Sequence, residues 1–175
     1  HGIMVEVLVD GQFGYYGTPD ISKEGVDHAS MNAYKQAKAA SKYSVHSFSE
    51  DARPKSIGTY KSPFIKHIKD VSAKELNVLL LDAYKHLRVS DKIVSATSLA
   101  TTIETNFHYV SSNGSDIIQE FLMLEFDLSA TAVEGSNQQT RTFGGMRGTC
   151  RQVGMEFLDQ MEILSQANKI GEQAI

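Results

Sequence analysis

Six histidines and one cysteine are the side chains of this 175-residue chain best suited to bind a metal ion or act as a nucleophile. They are spread singly, as His1, His28, His46, His67, His86, His108 and Cys150. No His-Glu-x-x-His segment occurs, and no two histidines lie one helical turn apart, the spacing that places two zinc ligands on one helix face. The sequence therefore offers no metal-binding motif.

Nucleophilic catalysis has no better support. No serine lies in a G-x-S-x-G segment, and Cys150 has no recognisable partner. Gly11, Gly14 and Gly17 lie between a predicted strand and a predicted helix, but their spacing fits neither dinucleotide-binding nor phosphate-binding loops, which indicates turn and packing roles. We assign no catalytic, cofactor-binding or metal-binding residue to this chain.

Serines also cluster around an Asn-Gly pair, in the segment Ser111-Ser112-Asn113-Gly114-Ser115-Asp116. Long runs rich in β-branched and apolar residues flank this segment, and Asn-Gly is typical of the two-residue type I′ turn. The segment is therefore predicted to be the tip of a β-hairpin. A two-residue loop would pair Ser112 with Ser115.

The strand patterns predict the same register. Apolar residues fall on odd positions before the turn and on even positions after it. In the register of a two-residue loop, Ile103 would lie opposite Leu124 and Leu99 opposite Leu128, so that both apolar sets share one face. A three-residue loop would place apolar residues opposite polar ones.

The remaining strands and helices are predicted from periodicity and capping residues. Ile3–Val9 and Phe13–Tyr16 form a first hairpin, and Ser22 caps a helix that runs to about Lys42 with an alanine-rich stripe. Residues 43–63 are expected to form a long connection. A capping box at Ser72-Ala73-Lys74-Glu75 begins a second helix.

A further strand is predicted around Gln139–Phe143, which completes a three-stranded meander, and the Gly144–Gly148 segment is a predicted flexible joint. After it, Val153, Phe157, Met161, Leu164, Ala167 and Ala174 keep the spacing of one helix to the end of the chain. The fold class expected is α+β, an antiparallel or mixed sheet with long meander strands packed against two to three helices.

Composition limits the classes of partner. The formal net charge of -4 and the pI near 5.9 give no basic surface, so we expect no direct nucleic-acid partner. No run approaches the roughly 20 apolar residues of a membrane span, and no signal peptide is recognisable, so no membrane association is expected. A single cysteine fits a reducing compartment and predicts a cytoplasmic location.

Read in order, the sequence resembles the amino-terminal region of the TldD/PmbA family of metallopeptidases, also called modulators of DNA gyrase. The resemblance begins at Val5–Gly14 and continues through Thr18–Ser22 and Gly58–Pro63. It is carried most strongly by Ser111–Glu120, similar to a serine-serine-acid-glycine turn of the family. The last matching segments are Gly144-Gly145-Met146-Arg147-Gly148 and Gly154-Met155-Glu156-Phe157-Leu158, which indicate the TldD branch.

This resemblance implies a part of a larger enzyme. Residues 1–150 would be the amino-terminal α+β domain, truncated at its start, and residues 151–175 a helix leading toward a carboxy-terminal metallopeptidase domain outside this chain. The family's zinc ligands belong to that domain, so none is carried over to a position here. A peptide or unfolded protein would be the substrate, and the enzyme would be a homodimer or a heterodimer with a PmbA-like subunit.

Two functions are therefore expected from the sequence. In the first, the chain is a non-catalytic domain that guides substrate and assembles the dimer of a TldD-like zinc metallopeptidase, and by itself is inactive. In the second, it is a stand-alone binding or scaffold module of the same fold without peptidase activity.

Overall fold

The structure, a computed structural model, describes residues 1–145 and 147–175, which form two compact units. The first unit comprises His1–Ser56 with Ser111–Ser115, and the second comprises Ile57–Val110 with Asp116–Ile175. Helices and both antiparallel and parallel strand pairs are present, so the predicted α+β fold with a mixed sheet is confirmed. No described helix has the length and apolar character that a membrane crossing requires.

The first unit begins with the predicted hairpin. Strand β1 (Ile3–Val9) pairs antiparallel with β2 (Gln12–Thr18) through a two-residue turn. Both turn residues, Asp10 and Gly11, have positive φ angles of 49° and 75°, the conformation that a type I′ turn needs.

Helix α1 (Lys23–Ser41) packs its alanine stripe against this hairpin. The Ser22 side chain accepts a hydrogen bond from the backbone N–H of Gly25 at 3.1 Å, as expected for the helix cap. Ala33 is fully buried, and a Cβ atom at Gly14 would lie 2.0 Å from its carbonyl oxygen. The helix therefore approaches the strand so closely that only glycine fits there.

The second unit is built on a sheet with one long central strand. Its elements in chain order are β3 (Ile57–Lys61), α2 (Ala73–Leu87), β4 (Ile93–Val110), β5 (Asp116–Glu134), β6 (Asn137–Phe143), α3 (Glu156–Gln160) and α4 (Ile163–Ala174). β4 and β6 pair antiparallel with β5, as the meander predicts. β3 pairs parallel with β5 and lies within the region 43–63 that was expected to be a connection without strands.

Helix α2 has the predicted capping box. Ser72 Oγ accepts from the N–H of Glu75 at 3.1 Å, and the Glu75 carboxylate accepts from the N–H of Ser72 at 2.8 Å. The Ser72 hydroxyl also donates to the Glu75 carboxylate at 2.7 Å, and this hydrogen bond together with that from the Ser72 N–H holds the pKa of Glu75 below its usual value. Ala83 and Leu87, farther along the helix, are fully buried in the core of the unit.

The carboxy-terminal segment is not the single helix that the spacing predicts. Glu162 has φ 48° and separates α3 from α4, so the helical phase changes there. The core residues of this segment are Met155, Leu158, Ile163, Ala167, Ile170 and Ala174. Because they share one core with β5, residues 151–175 belong to the same unit as the long strands, and no unit boundary falls near residue 150. Met146, in the predicted flexible joint, lies outside the described residues.

The predicted register of the long hairpin is wrong by one residue. Ile103 lies opposite Met123, and Leu99 lies opposite Asp127. Ser111 pairs with Ser115, because the Ser111 N–H donates to Ser115 O at 3.2 Å, so the turn has three residues. Within the turn, the Gly114 N–H donates to Ser111 O at 2.9 Å.

The reason is that Asn113 does not adopt the positive φ of a type I′ turn, and within the turn Gly114 alone does, with φ 86°. The side-chain Oδ1 of Asn113 accepts from the N–H of Ser115 at 3.0 Å and from the Ser111 hydroxyl at 2.7 Å. A type I turn followed by a left-handed glycine is the usual three-residue hairpin, and the Asn113 side chain stabilises it.

This register separates the two apolar sets onto opposite faces of the sheet. The even residues of β5 form the core beneath the helices, and they are Leu122, Leu124, Phe126, Leu128, Ala130 and Ala132. The odd residues of β4 lie on the other face, where Leu99, Ile103, Phe107 and Tyr109 are 40–57% exposed. We call this second face the outer face.

Candidate functional site

The free edge of β4 is the feature of the second unit best suited to bind another chain. β4 is 18 residues long and pairs with β5 along almost its whole length. In the described part of the chain, no strand pairs with its other edge. Apart from the buried Ile93, its residues are exposed or half-buried.

The hydrogen-bond pattern identifies which backbone groups of β4 are available. In an antiparallel pair, the N–H and C=O groups of successive residues point alternately toward and away from the partner. The N–H groups of Leu122, Leu124 and Phe126 on β5 point away from β4. Even residues of β4 lie opposite even residues of β5, so their N–H and C=O groups also face away from the pair, toward the free edge.

The composition of this edge lacks the usual protection against strand pairing. Natural edge strands are protected by charged side chains, proline, bulges or short length. The ten residues Val94–Ile103 contain no charged residue, no proline and no glycine. A register shift between Ile93 and Ser95 disturbs only the start of the strand. The edge is therefore chemically open to another extended chain.

The opposite edge of β5, by contrast, is closed by side chains between β3 and β6. The Ser62 hydroxyl accepts from the N–H of Leu122 at 3.1 Å, and the Thr149 hydroxyl accepts from the N–H of Phe126 at 3.1 Å while donating to its carbonyl. Between them, Arg151 and Leu124 exchange two backbone hydrogen bonds of 2.9 and 3.0 Å. Neither hydroxyl was identified from the sequence, because both follow from pairings between distant segments.

The serines of the long turn have structural roles within the first unit. Ser115 is buried, and its hydroxyl accepts from the N–H of Ser56 at 3.1 Å and donates to Asn113 at 2.8 Å. The Asn113 amide donates to the carbonyl of Arg53 at 2.7 Å. These contacts fix the turn.

Arg53 anchors the same loop by its side chain. Its guanidinium makes two hydrogen bonds of 2.9 and 3.0 Å to the Glu6 carboxylate, which lower the pKa of Glu6 despite its partial burial. The guanidinium also stacks on the Phe13 ring, 5.0 Å from the ring centroid.

The Gly154–Leu158 segment, one of the motifs that carry the family resemblance, contacts the chain near Lys66, which is distant from it in sequence. The Glu156 carboxylate accepts from the N–H groups of Lys66 and Gly154 at 2.9 and 3.0 Å. Although partial burial acts to raise the pKa of Glu156, these backbone donors hold it below its usual value. A Cβ atom at Gly154 would lie 2.2 Å from the Lys66 carbonyl oxygen, so the contact requires glycine.

The structure does not bring the histidines and Cys150 together into a metal centre. His108 pairs with Asp116 at 2.8 Å, and His67 lies 3.9 Å from Glu104. Across residues 1–145 and 147–175, no group of three or more histidine, cysteine, aspartate or glutamate side chains is arranged to hold a metal ion. Those side chains therefore do not fit a zinc site.

Comparisons with known proteins give one family and a set of similar structures. Residues 66–175 match a family model described as the PmbA/TldA metallopeptidase central domain. Apart from Ser111–Ser115, the matched region lies within the second unit, whereas the resemblance found in the sequence placed the whole chain in the amino-terminal region. A comparison with curated proteins gives no match.

Among solved structures, the chain is similar to the crystal structure of a proposed modulator of a DNA gyrase from Thermotoga maritima. The two share 15% sequence identity with a TM-score of 0.66, over 97% of this chain and 36% of the other. At this identity the likeness shows the fold alone. The chain thus spans little more than a third of the length of that protein.

Proposed function

Because the chain belongs to the PmbA/TldD family of metallopeptidases, we propose that it is the non-catalytic part of a TldD-like zinc enzyme that cleaves unfolded or small peptides. Its role is to guide the substrate and to assemble the dimer. The zinc ligands lie outside this chain, and the complete enzyme acts in the cytoplasm as a homodimer or with a PmbA-like subunit. The chain by itself is inactive.

The observation that carries the substrate-guiding role is the free edge of β4. An extended peptide adds to such an edge through backbone hydrogen bonds, which are largely indifferent to the peptide's side chains. Unfolded segments supply the free backbone groups that this pairing needs, whereas a folded protein has already paired its own. The even residues from Ala96 to Thr102 present the matching donors and acceptors.

The outer face supports the assembly role. Leu99, Ile103, Phe107 and Tyr109 are all large apolar residues exposed on one side of the sheet. Phe107 packs edge-on against Phe121, with ring centroids 6.2 Å apart, so the surface is continuous across β4 and β5. Contiguous exposed apolar surface of this kind is typical of protein contact sites.

Proline substitution on the free edge tests the substrate-guiding role. Thr102→Pro and Ser98→Pro each remove one N–H that points away from β5, and proline is tolerated at such edge positions. A fluorescein-labelled unstructured peptide of roughly ten residues is long enough to form a strand of about six. Each variant should bind it about three- to tenfold more weakly, because the peptide loses at least one hydrogen bond. Fluorescence anisotropy measures the affinity.

Thr102→Val and Ser98→Ala are the matched controls, since they alter the same side chains but keep the N–H groups. Both should bind the peptide as the unsubstituted chain does. Thermal unfolding followed by circular dichroism verifies that all four variants are folded. Unchanged affinity in both proline variants would rule out the edge as the peptide site.

A further inference from the structure

A groove lies between helix α2 and the first half of β4. It has a volume of about 520 Å³, within the range of ligand-binding clefts. Four helix residues line one side, and they are Asn77, Leu80, Leu81 and Tyr84; three strand residues, Ala96, Thr97 and Ser98, line the other. The helix residues follow the spacing i, i+3, i+4, i+7, so they form one face of α2.

The lining of the groove is uncharged, and it combines the apolar side chains of Leu80, Leu81 and Ala96 with the polar residues Asn77, Thr97 and Ser98. Leu81 is 58% exposed and Tyr84 is 38% exposed, although both are large side chains that gain free energy from burial. Ser98 Oγ, in the strand wall, is inaccessible to solvent and has no hydrogen-bond partner among the described residues. The groove thus offers apolar contact area that the second unit itself leaves open.

The groove adjoins the free backbone edge. Ala96 and Ser98 are even residues, so their N–H and C=O groups face away from β5 while their side chains point to the helix side of the sheet. A strand added to this edge would lie about 4.8 Å from β4, and every second side chain would point to the same side. Those side chains would enter the groove beside Leu81 and Tyr84.

A cation lies beside Tyr84, the lining residue at one end of the groove. The Arg88 guanidinium lies 5.8 Å from the centroid of the Tyr84 ring, and its Nη1 is 3.4 Å from the Tyr84 hydroxyl. Arg88 takes part in none of the ion pairs formed among the described residues, while the neighbouring Lys85 pairs with Asp82 at 2.9 Å. Arg88 therefore provides positive charge to a carboxylate bound at this end.

We propose that this groove is a side-chain subsite for an extended peptide that carries apolar residues at alternate positions and a carboxylate near Arg88. The inference rests on the proposed function, because it needs the peptide to pair with the β4 edge. It adds a preference that backbone pairing alone would not give. Apolar side chains of the peptide that point toward α2 would be buried in the groove. The carboxylate near Arg88 would fix the direction in which the peptide runs along β4.

Two labelled peptides of equal length test the preference. Both peptides are unstructured and end in aspartate. The first has leucine at alternate positions, and the second has serine at the same positions. The unsubstituted chain should bind the leucine peptide at least about tenfold more tightly, because burial of one leucine accounts for a ratio of this size. Leu81→Glu should abolish the preference.

Val78→Glu is the matched control. Val78 is on the same helix, is 50% exposed and does not line the groove, so the same change of charge there should leave the preference intact. Arg88→Gln should weaken binding of the leucine peptide about two- to fivefold, because an exposed ion pair contributes only modestly to the free energy of binding. It should have no effect on a version whose terminal aspartate is replaced by asparagine amide.

The outcomes separate the groove from the edge. Equal binding of both peptides, with both still weakened by Thr102→Pro, overturns the subsite and leaves the proposed function standing. If neither peptide binds, both the subsite and the proposed function are overturned. If sedimentation velocity shows that Leu81→Glu disrupts self-association while peptide binding is unchanged, the groove holds a second copy of this chain and the subsite is again overturned.

Discussion

At the scale of single residues, Asp127 is the carboxylate whose surroundings suit it least. It lies opposite Leu99 on the outer face, and its Oδ1 is inaccessible to solvent and lacks a partner among the described residues. Desolvation raises the pKa of Asp127 above its ordinary value of 3.8, and the nearby charge of Glu125 acts in the same direction. The hydrogen bond that the Asp127 carboxylate accepts from the Leu128 backbone acts in the opposite direction but does not cancel the rise in pKa.

Asp127→Asn should therefore stabilise the chain at neutral pH. Because the pKa of the folded state is above that of the unfolded state, the folded state binds more protons in the window just above pH 3.8, and stability falls as the pH rises through that window. Replacing the charge should gain roughly 0.5 kcal/mol at pH 7, about 1–2 °C in Tm. Thermal unfolding at several pH values measures it.

The pH series supplies its own control. Well below pH 3.8 the aspartate is protonated in both states, so the advantage of the variant that comes from removing the charge should disappear there. A variant that is less stable at pH 7, or a gain that is as large in acid as at neutral pH, would contradict the desolvation argument.

At the scale of elements, the two edges of the hairpin differ in a way that the strand pattern does not reveal. Apolar residues occupy every second position along much of strand β5, and the core face of the strand is predictable from that alternation. Its second edge depends on Ser62, Thr149 and Arg151, which are distant from it in sequence. No local pattern identifies such partners.

Ser62→Ala should destabilise the second unit. Ser62 is 2% exposed, and its hydroxyl is the acceptor for the N–H of Leu122 as well as a donor to the Gln152 side chain at 3.1 Å. Alanine would leave the buried N–H without a partner, at a cost of about 1–3 kcal/mol in the free energy of unfolding. Urea denaturation measures this change.

Ser49→Ala is the control, because Ser49 precedes a short 3-10 helix without capping it by its side chain. Its free energy of unfolding should stay within about 0.5 kcal/mol of the unsubstituted chain. If Ser62→Ala were equally neutral, the hydroxyl would not be needed to complete the edge of β5.

The hairpin turn shows why the register could not be predicted from local sequence. Asn-Gly favours a two-residue turn, and the alternation of both strands is compatible with it. The side chain of Asn113 instead bonds Ser111, Ser115 and the distant Arg53 carbonyl. These contacts favour the three-residue turn and reverse the face of every odd residue of β4.

At the scale of the whole molecule, the proposed function needs zinc ligands that lie outside this chain. The purified chain should contain less than about a tenth of an equivalent of zinc after dialysis, because its potential ligands are not grouped across the described residues. It should not cleave denatured casein. Elemental analysis by mass spectrometry and gel electrophoresis of the casein measure the two properties.

A matched sample dialysed against a zinc chelator distinguishes bound metal from contamination. Stoichiometric zinc together with cleavage that the chelator abolishes would contradict the proposed non-catalytic role. Zinc-free protein that binds unfolded peptide is the expected result.

The sequence by itself determined the features that depend on neighbouring residues. These are the first hairpin, the caps at Ser22 and Ser72, the alanine stripe of α1, the core face of β5 and the α+β class, because capping and periodicity act within a few residues. The family resemblance also came from motifs in their order, and the match over residues 66–175 shows the family.

Only the tertiary structure decided which surfaces remain available. The strand β3, the break at Glu162, the outer face and the free edge of β4 all depend on which distant segments pair. A strand's sequence specifies which of its faces are apolar, but not whether another strand or helix covers them. The candidate peptide edge and its groove were therefore visible only after the chain was folded.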